Sequence, residues 1–188
     1  AYGSGAAPVL AGSNNLTSGY TWRKSASGTN TYYCYASGLQ PPDTVWLNGV
    51  NCARGTAGSL ADHRWDWANR DSLGFYTVYI RDDSGSPGAT GVLIESAARD
   101  YTVYASSKSY LTFENLEVRH TDDYGNAFGL MHFNACKNIT IRNCTIHDIT
   151  GYGIRFVGSG SANHLLQGNT VYNALPVWSY PCLVRFDQ

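Results

Sequence analysis

The segment Leu111-Thr-Phe-Glu-Asn-Leu-Glu-Val118 recurs as Ile139-Thr-Ile-Arg-Asn-Cys-Thr-Ile146 and again as His164-Leu-Leu-Gln-Gly-Asn-Thr-Val171. Its equivalent residues Phe113, Ile141 and Leu166 lie 28 and 25 positions apart. Within the second copy, Ile139 and Ile141 alternate with polar residues, Arg142-Asn143 interrupts, and Cys144 and Ile146 alternate again. Alternation with period two marks strands, and the polar interruption marks a bend where two short strands meet at an angle. Asn suits the bend because it tolerates the left-handed backbone region and bonds to neighbouring peptide groups.

A further strand follows each copy after a polar loop. Gly129-Leu-Met-His-Phe133 aligns with Gly153-Ile-Arg-Phe-Val157, and Leu183-Val-Arg-Phe186 reads as the next. Three short strands per turn of about 25 residues predict an all-β chain, a right-handed parallel β-helix of about four coils. One coil cannot bury its apolar face alone, so the coils must stack and share a core. Gly91-Val-Leu-Ile-Glu95 and Tyr101-Thr-Val-Tyr104 read as the preceding coil. Residues 20–82 do not repeat and carry aromatic strand candidates between turn signals, which predicts an inserted small antiparallel β module. The expected division is therefore 1–19 and 83–188 in coils and 20–82 in the module. No Pro-rich or Gly/Ser linker separates the two, which predicts a shared core.

The composition of the 188 residues excludes several classes. Thirteen basic against 14 acidic residues leave no basic field for nucleic acid. No run of 18 apolar residues occurs, so no membrane-spanning helix is expected. The opening Ala1–Leu10 lacks the basic and apolar regions of a signal peptide. None of the five cysteines has C-x-x-C spacing. Cys34 and Cys52 are close enough in sequence to pair, whereas Cys144 occupies an apolar repeat position and reads as a buried thiol. The odd cysteine count and the polar, aromatic surface point to a secreted or cell-surface location.

The segments Ser109–Val118, Lys137–Ile146 and Gly153–Phe156 resemble the right-handed parallel β-helix repeat family, which includes many polysaccharide lyases and glycoside hydrolases. The phrase Ala1-Tyr-Gly-Ser-Gly-Ala-Ala-Pro-Val-Leu10 is similar to one inside such proteins, which implies a piece of a longer chain. Open coil ends would then expose strand edges and predict association of copies. The resemblance implies a polysaccharide or oligosaccharide ligand, lying along the strand that follows the longest loop. Mapped here, Met131, Arg155 and Arg185 face outward on that strand, with His132 turned inward. Tyr152, Tyr124, Trp178 and Arg185 are the expected sugar contacts. A lyase acting on an acidic polysaccharide needs a cation on the uronate carboxylate and a base for the neighbouring proton. Calcium held by Asp122 and Asp123 would be the cation, with Arg155, Asp148 and His147 as the catalytic candidates. Hydrolysis by two carboxylates is the other enzymatic reading, although the Asn-Thr-Asp, Gly-His-Gly and Arg-Ile-Lys motifs of polygalacturonase-like members are absent. A non-catalytic glycan-binding or adhesive module stands beside both, because one β-helix serves many chemistries.

Overall fold

A computed structural model describes residues 5–36, 41–68, 74–87, 89, 91–122, 129–175 and 182–187. The chain divides into two compact units, Ser13–Ala98 and the combination of Ala1–Gly12 with Arg99–Gln188. Among the described residues no helix is long and apolar enough to cross a membrane.

The second of these units is a stack of parallel coils. One sheet runs Val9–Ala11, Glu117–Arg119, Thr145–His147, Thr170–Val171, and a second runs Thr112–Glu114, Thr140–Arg142, Leu165–Gln167. A third runs Val103–Ser106, Gly129–Asn134, Tyr152–Val157, Cys182–Phe186, and all of these pairings are parallel. Phe113 lies opposite Ile141, and Ile141 opposite Leu166, as the repeat predicts. Val118, Ile146 and Val171 form a second column. Ile139, Ile141, Cys144 and Ile146 are fully or almost fully buried in one cluster, with Leu111, Phe113 and Leu116 packed against it.

The corners explain why the repeat contains the residues it does. Asn115, Asn143 and Gly168 occupy equivalent bend positions with φ of 57°, 52° and 63°. Tyr110, Asn138 and Asn163 form a second left-handed column, at 60°, 53° and 60°. His120, Asp148 and Asn173 form a third, at 59°, 54° and 53°. Asn, Asp and Gly dominate these columns because they tolerate that region at least cost. At Gly168 a side chain is also excluded sterically, since a Cβ would lie 2.6 Å from the Asn143 Oδ1 of the coil below.

Unit Ser13–Ala98 contains an eight-stranded, mainly antiparallel sheet arrangement. Its core comprises Cys34, Val45, Leu47, Cys52, Trp65, Trp67, Val78, Ile80 and Ile94, with Leu16 and Ala36. The module is therefore longer than the expected 20–82. The strand Ile94–Ala97, read from sequence as part of a coil, pairs antiparallel with Ser13–Asn15 and Val45–Leu47. Its short apolar run suits either setting, and only the pairing partner decides between them. Each unit buries an apolar cluster of its own. Cys34 and Cys52 do not pair. Both are free buried thiols, pushed up by burial to about 12 and about 11.

Candidate functional site

The outward face of the third sheet gathers aromatic and charged groups. Register places Tyr104 opposite His132, His132 opposite Arg155, and Arg155 opposite Arg185. This ladder differs by one residue from the sequence alignment of Gly129 with Gly153, because Gly129 lies opposite Tyr152. A one-residue slip turns every side chain to the other face. Met131 is accordingly fully buried opposite Ile154, and His132 stands on the outward face. The stacked rings of Phe133, Phe156 and Phe186 hold the register from inside, with centroids 5.2 and 5.1 Å apart.

Asp187 sits between the two arginines. It accepts a hydrogen bond from Arg155 Nε at 2.8 Å and another from Arg185 Nε. The Arg185 bond, followed by that of Arg155, holds the Asp187 carboxyl below its ordinary range despite some desolvation. Arg185 is in turn held in its charged form chiefly by Asp187. Both guanidiniums lie over the Tyr152 ring, at 5.1 and 4.9 Å from its centroid, and Arg185 donates to the Tyr152 hydroxyl. Tyr152 is positioned by its neighbour: at Gly153 a Cβ would lie 2.5 Å from the Leu183 carbonyl oxygen, so no side chain fits there. Among the described residues, Asp187 is the carboxylate shared by the two guanidiniums.

His132 is the residue that sequence reasoning assigned to the wrong side. It is 6% exposed, and its Nδ1 is buried without a hydrogen-bond partner among the described residues. Tyr101 packs edge-on at 4.9 Å and Tyr104 lies 5.8 Å away. Burial, then the nearby Arg155 charge, push its pKa down to about 4, so the imidazole is neutral at pH 7. The Phe133/Phe156/Phe186 alignment is the sequence signal that would have turned His132 outward.

The altered titration of His132 has a consequence for stability. Between the folded value near 4 and the ordinary 6.5, the unfolded chain binds a proton at this position and the native chain does not. Its contribution is therefore fully present above pH 6.5 and is lost as pH falls toward 4. The loss should be on the order of 2 kcal/mol. Urea unfolding at pH 7 and pH 4.5 checks it, and His132→Gln should show a shallower decline over the same window.

His147 and Asp148 belong to a different corner, on the sheet that contains Thr145–His147. His147 Nδ1 lies 2.8 Å from Asp148 Oδ2, and its Nε2 lies 3.2 Å from Glu117 Oε1. The ring stacks on Tyr172 at 5.0 Å. Asp148 also accepts a hydrogen bond from Asn173 Nδ2 and lies 3.6 Å from Nε2 of the fully buried His120. Burial pushes the Asp148 carboxyl up, but His120 and His147 outweigh it and leave the pKa lowered. His120 thus stacks with Asp148 and Asn173 along the corner, while His147 lies opposite Arg119.

Asp122 is buried, and its amide donates to the Arg99 carbonyl at 2.8 Å. Asp123, Tyr124 and Trp178 lie outside the described residues. Calcium requires six to eight oxygen ligands. Among the described residues no three acidic, histidine or cysteine groups converge in a metal-binding arrangement, and Asp148 is engaged by two histidines and Asn173.

The sequence profile described as "Right handed beta helix region" matches residues 69–177, more than half of the chain. No curated protein matches the sequence. A similar solved structure is "The complex structure of XylC with xylose", with a TM-score of 0.61 and 16% identity. The match covers 83% of this chain and 32% of that one, so the chain spans about a third of that protein's length.

Proposed function

The chain belongs to the right-handed β-helix family, and from that premise we propose that it handles an acidic polysaccharide on the outward face of its third sheet. The observation that carries this reading is the in-register ladder Tyr104, His132, Arg155 and Arg185, with Tyr152 beneath both arginines. Aromatic faces suit pyranose rings, and a planar guanidinium suits a carboxylate. The paired guanidiniums of Arg155 and Arg185 favour a uronate over a neutral sugar. The saccharide assignment also draws support from the XylC neighbour, which was captured with xylose.

The reaction that the face supports best is elimination. Hydrolysis by two carboxylates would need a second acid, and Asp187 is already engaged by Arg155 and Arg185. In the elimination reading, Arg155 and Arg185 bind the uronate carboxylate, and neutral His132 takes the proton from the carbon beside it. The bond from the neighbouring carbon to the glycosidic oxygen breaks, a carbon–carbon double bond forms, and the leaving oxygen takes up a proton. Arg155 was expected to be the base. Its guanidinium is ion-paired with Asp187, an arrangement that suits carboxylate binding rather than proton removal. The second reading is a non-catalytic binding module, in which Arg155, Arg185 and Tyr152 hold the acidic saccharide without proton removal.

The test is incubation with pectate, alginate and glycosaminoglycans while the absorbance of the unsaturated product is followed. Elimination predicts product from one of these polymers, with Arg155→Ala reducing kcat/KM by about 100-fold, on the scale of a lost charge-assisted contact. His132→Gln should lower kcat and leave binding nearly unchanged. No product, combined with binding that Arg155→Ala weakens, supports the binding module. No binding to any acidic polymer sinks the proposal.

A further inference from the structure

The eight-stranded module carries an aromatic surface of its own. In Thr31–Tyr35, alternation sends Cys34 into the core and leaves Tyr33 and Tyr35 on the opposite face. Tyr79 lies across from Tyr33, with ring centroids 5.9 Å apart. Tyr33 and Tyr35 meet edge-on at 5.6 Å, and Tyr35 packs on the half-exposed Phe75 at 4.7 Å. A contiguous row of half-buried aromatic rings on a sheet face is a common mark of a binding surface.

At one end of this row lies a cleft of about 370 Å³, within the size range of small-ligand sites, lined by Gly19, Tyr20, Thr21, Arg23 and Tyr35. The Arg23 guanidinium stands over the Tyr35 ring, 5.1 Å from its centroid. Arg54 and Arg81 of the same module pair with Asp66 and Asp83, whereas no carboxylate among the described residues pairs with Arg23. The cleft therefore combines aromatic walls with a guanidinium whose donor edges are not engaged by an acid. An anionic group offers the charge that complements it, and a ring attached to that group would meet Tyr20 and Tyr35.

We propose that this cleft is a second saccharide site, separate from the coiled face, and that it takes a uronate through its carboxylate on Arg23 and its ring on Tyr20 and Tyr35. The choice of a uronate rests on the acidic-polysaccharide reading above, but the site itself stands on the module's own geometry.

Calorimetry of the full chain with a galacturonate hexamer tests the proposal. The Arg155→Gln/Arg185→Gln double variant should retain one binding event. Adding Arg23→Gln should weaken that event at least tenfold, and adding Tyr35→Ala should abolish it. A carboxyl-reduced hexamer should also bind the double variant at least tenfold more weakly. Absence of binding to the double variant, or residual binding indifferent to Arg23→Gln, overturns the inference. Hydroxyl-radical footprinting of the unaltered protein with the hexamer gives a readout independent of variant folding: Tyr20 and Tyr35 should be protected, and unprotected rings overturn the site. Failure of the coiled-face reading looks different, because binding would then be unchanged by the Arg155→Gln/Arg185→Gln pair and still lost with Arg23→Gln.

Discussion

Replacing Ile141 with Asp should cost at least about 4 kcal/mol and leave the coiled unit largely unfolded at 25 °C. Ile141 is fully buried, opposite Phe113 on one side and Leu166 on the other. An aspartate there puts a carboxylate into an apolar column with no partner. The coils above and below cannot turn away, because their strands are paired to the same backbone. The conservative change Ile141→Val removes one methylene and should cost only about 1 kcal/mol. Urea unfolding followed by circular dichroism measures both. A fully folded Ile141→Asp protein of wild-type stability would sink the stacked-core account.

Asp148→Ala should lose about 3 kcal/mol, the scale expected when one partner of a buried charged network is removed. The carboxylate joins His147, His120 and Asn173 at one corner, and His120 is fully buried beneath it. Alanine would also have to adopt a φ of 54°, which an L side chain without a polar group resists. An asparagine at this position would keep the left-handed tolerance and an acceptor oxygen, so Asp148→Asn should lose roughly half as much. The pH dependence carries a definite sign. The folded carboxyl lies below its ordinary 3.8, so its stabilisation is present above that value and fades as pH falls through the folded pKa. The gap between wild type and Asp148→Ala should therefore narrow at the acid end, once the folded carboxyl is protonated, down to the pH-independent cost of the left-handed backbone. Asp148 was a catalytic candidate from sequence. A large stability loss with unchanged oligosaccharide binding would identify it as a corner residue, whereas a wild-type unfolding curve with lost turnover would restore the catalytic assignment.

The coil architecture was legible because it rests on local rules that repeat. Ile139, Ile141, Cys144 and Ile146 alternate with polar residues, and Asn115, Asn143 and Gly168 recur where the backbone must turn left-handed. Those features are written in each copy separately, and stacking only multiplies them. The third sheet was harder to read. Gly129 and Gly153 offered an attractive alignment, but a glycine aligns by the space its neighbours leave it, which no sequence displays. The phenylalanines at 133, 156 and 186 carry the true register through ring stacking.

The same distinction separates the functional residues. Sequence alone determined that Arg155 and Arg185 face outward on a strand following a loop, because alternation around Ile154 and Phe156 requires it. Sequence could not determine that Asp187 clamps both arginines, that His132 shares their face, or that His147 and Asp148 serve another corner. Nor could it determine that Ile94–Ala97 leaves the coils for the module. Side-chain periodicity is a property of one strand and survives in the sequence. Ion pairing, neutral burial of an imidazole and choice of strand partner depend on groups distant along the chain, whose separation only the tertiary structure sets.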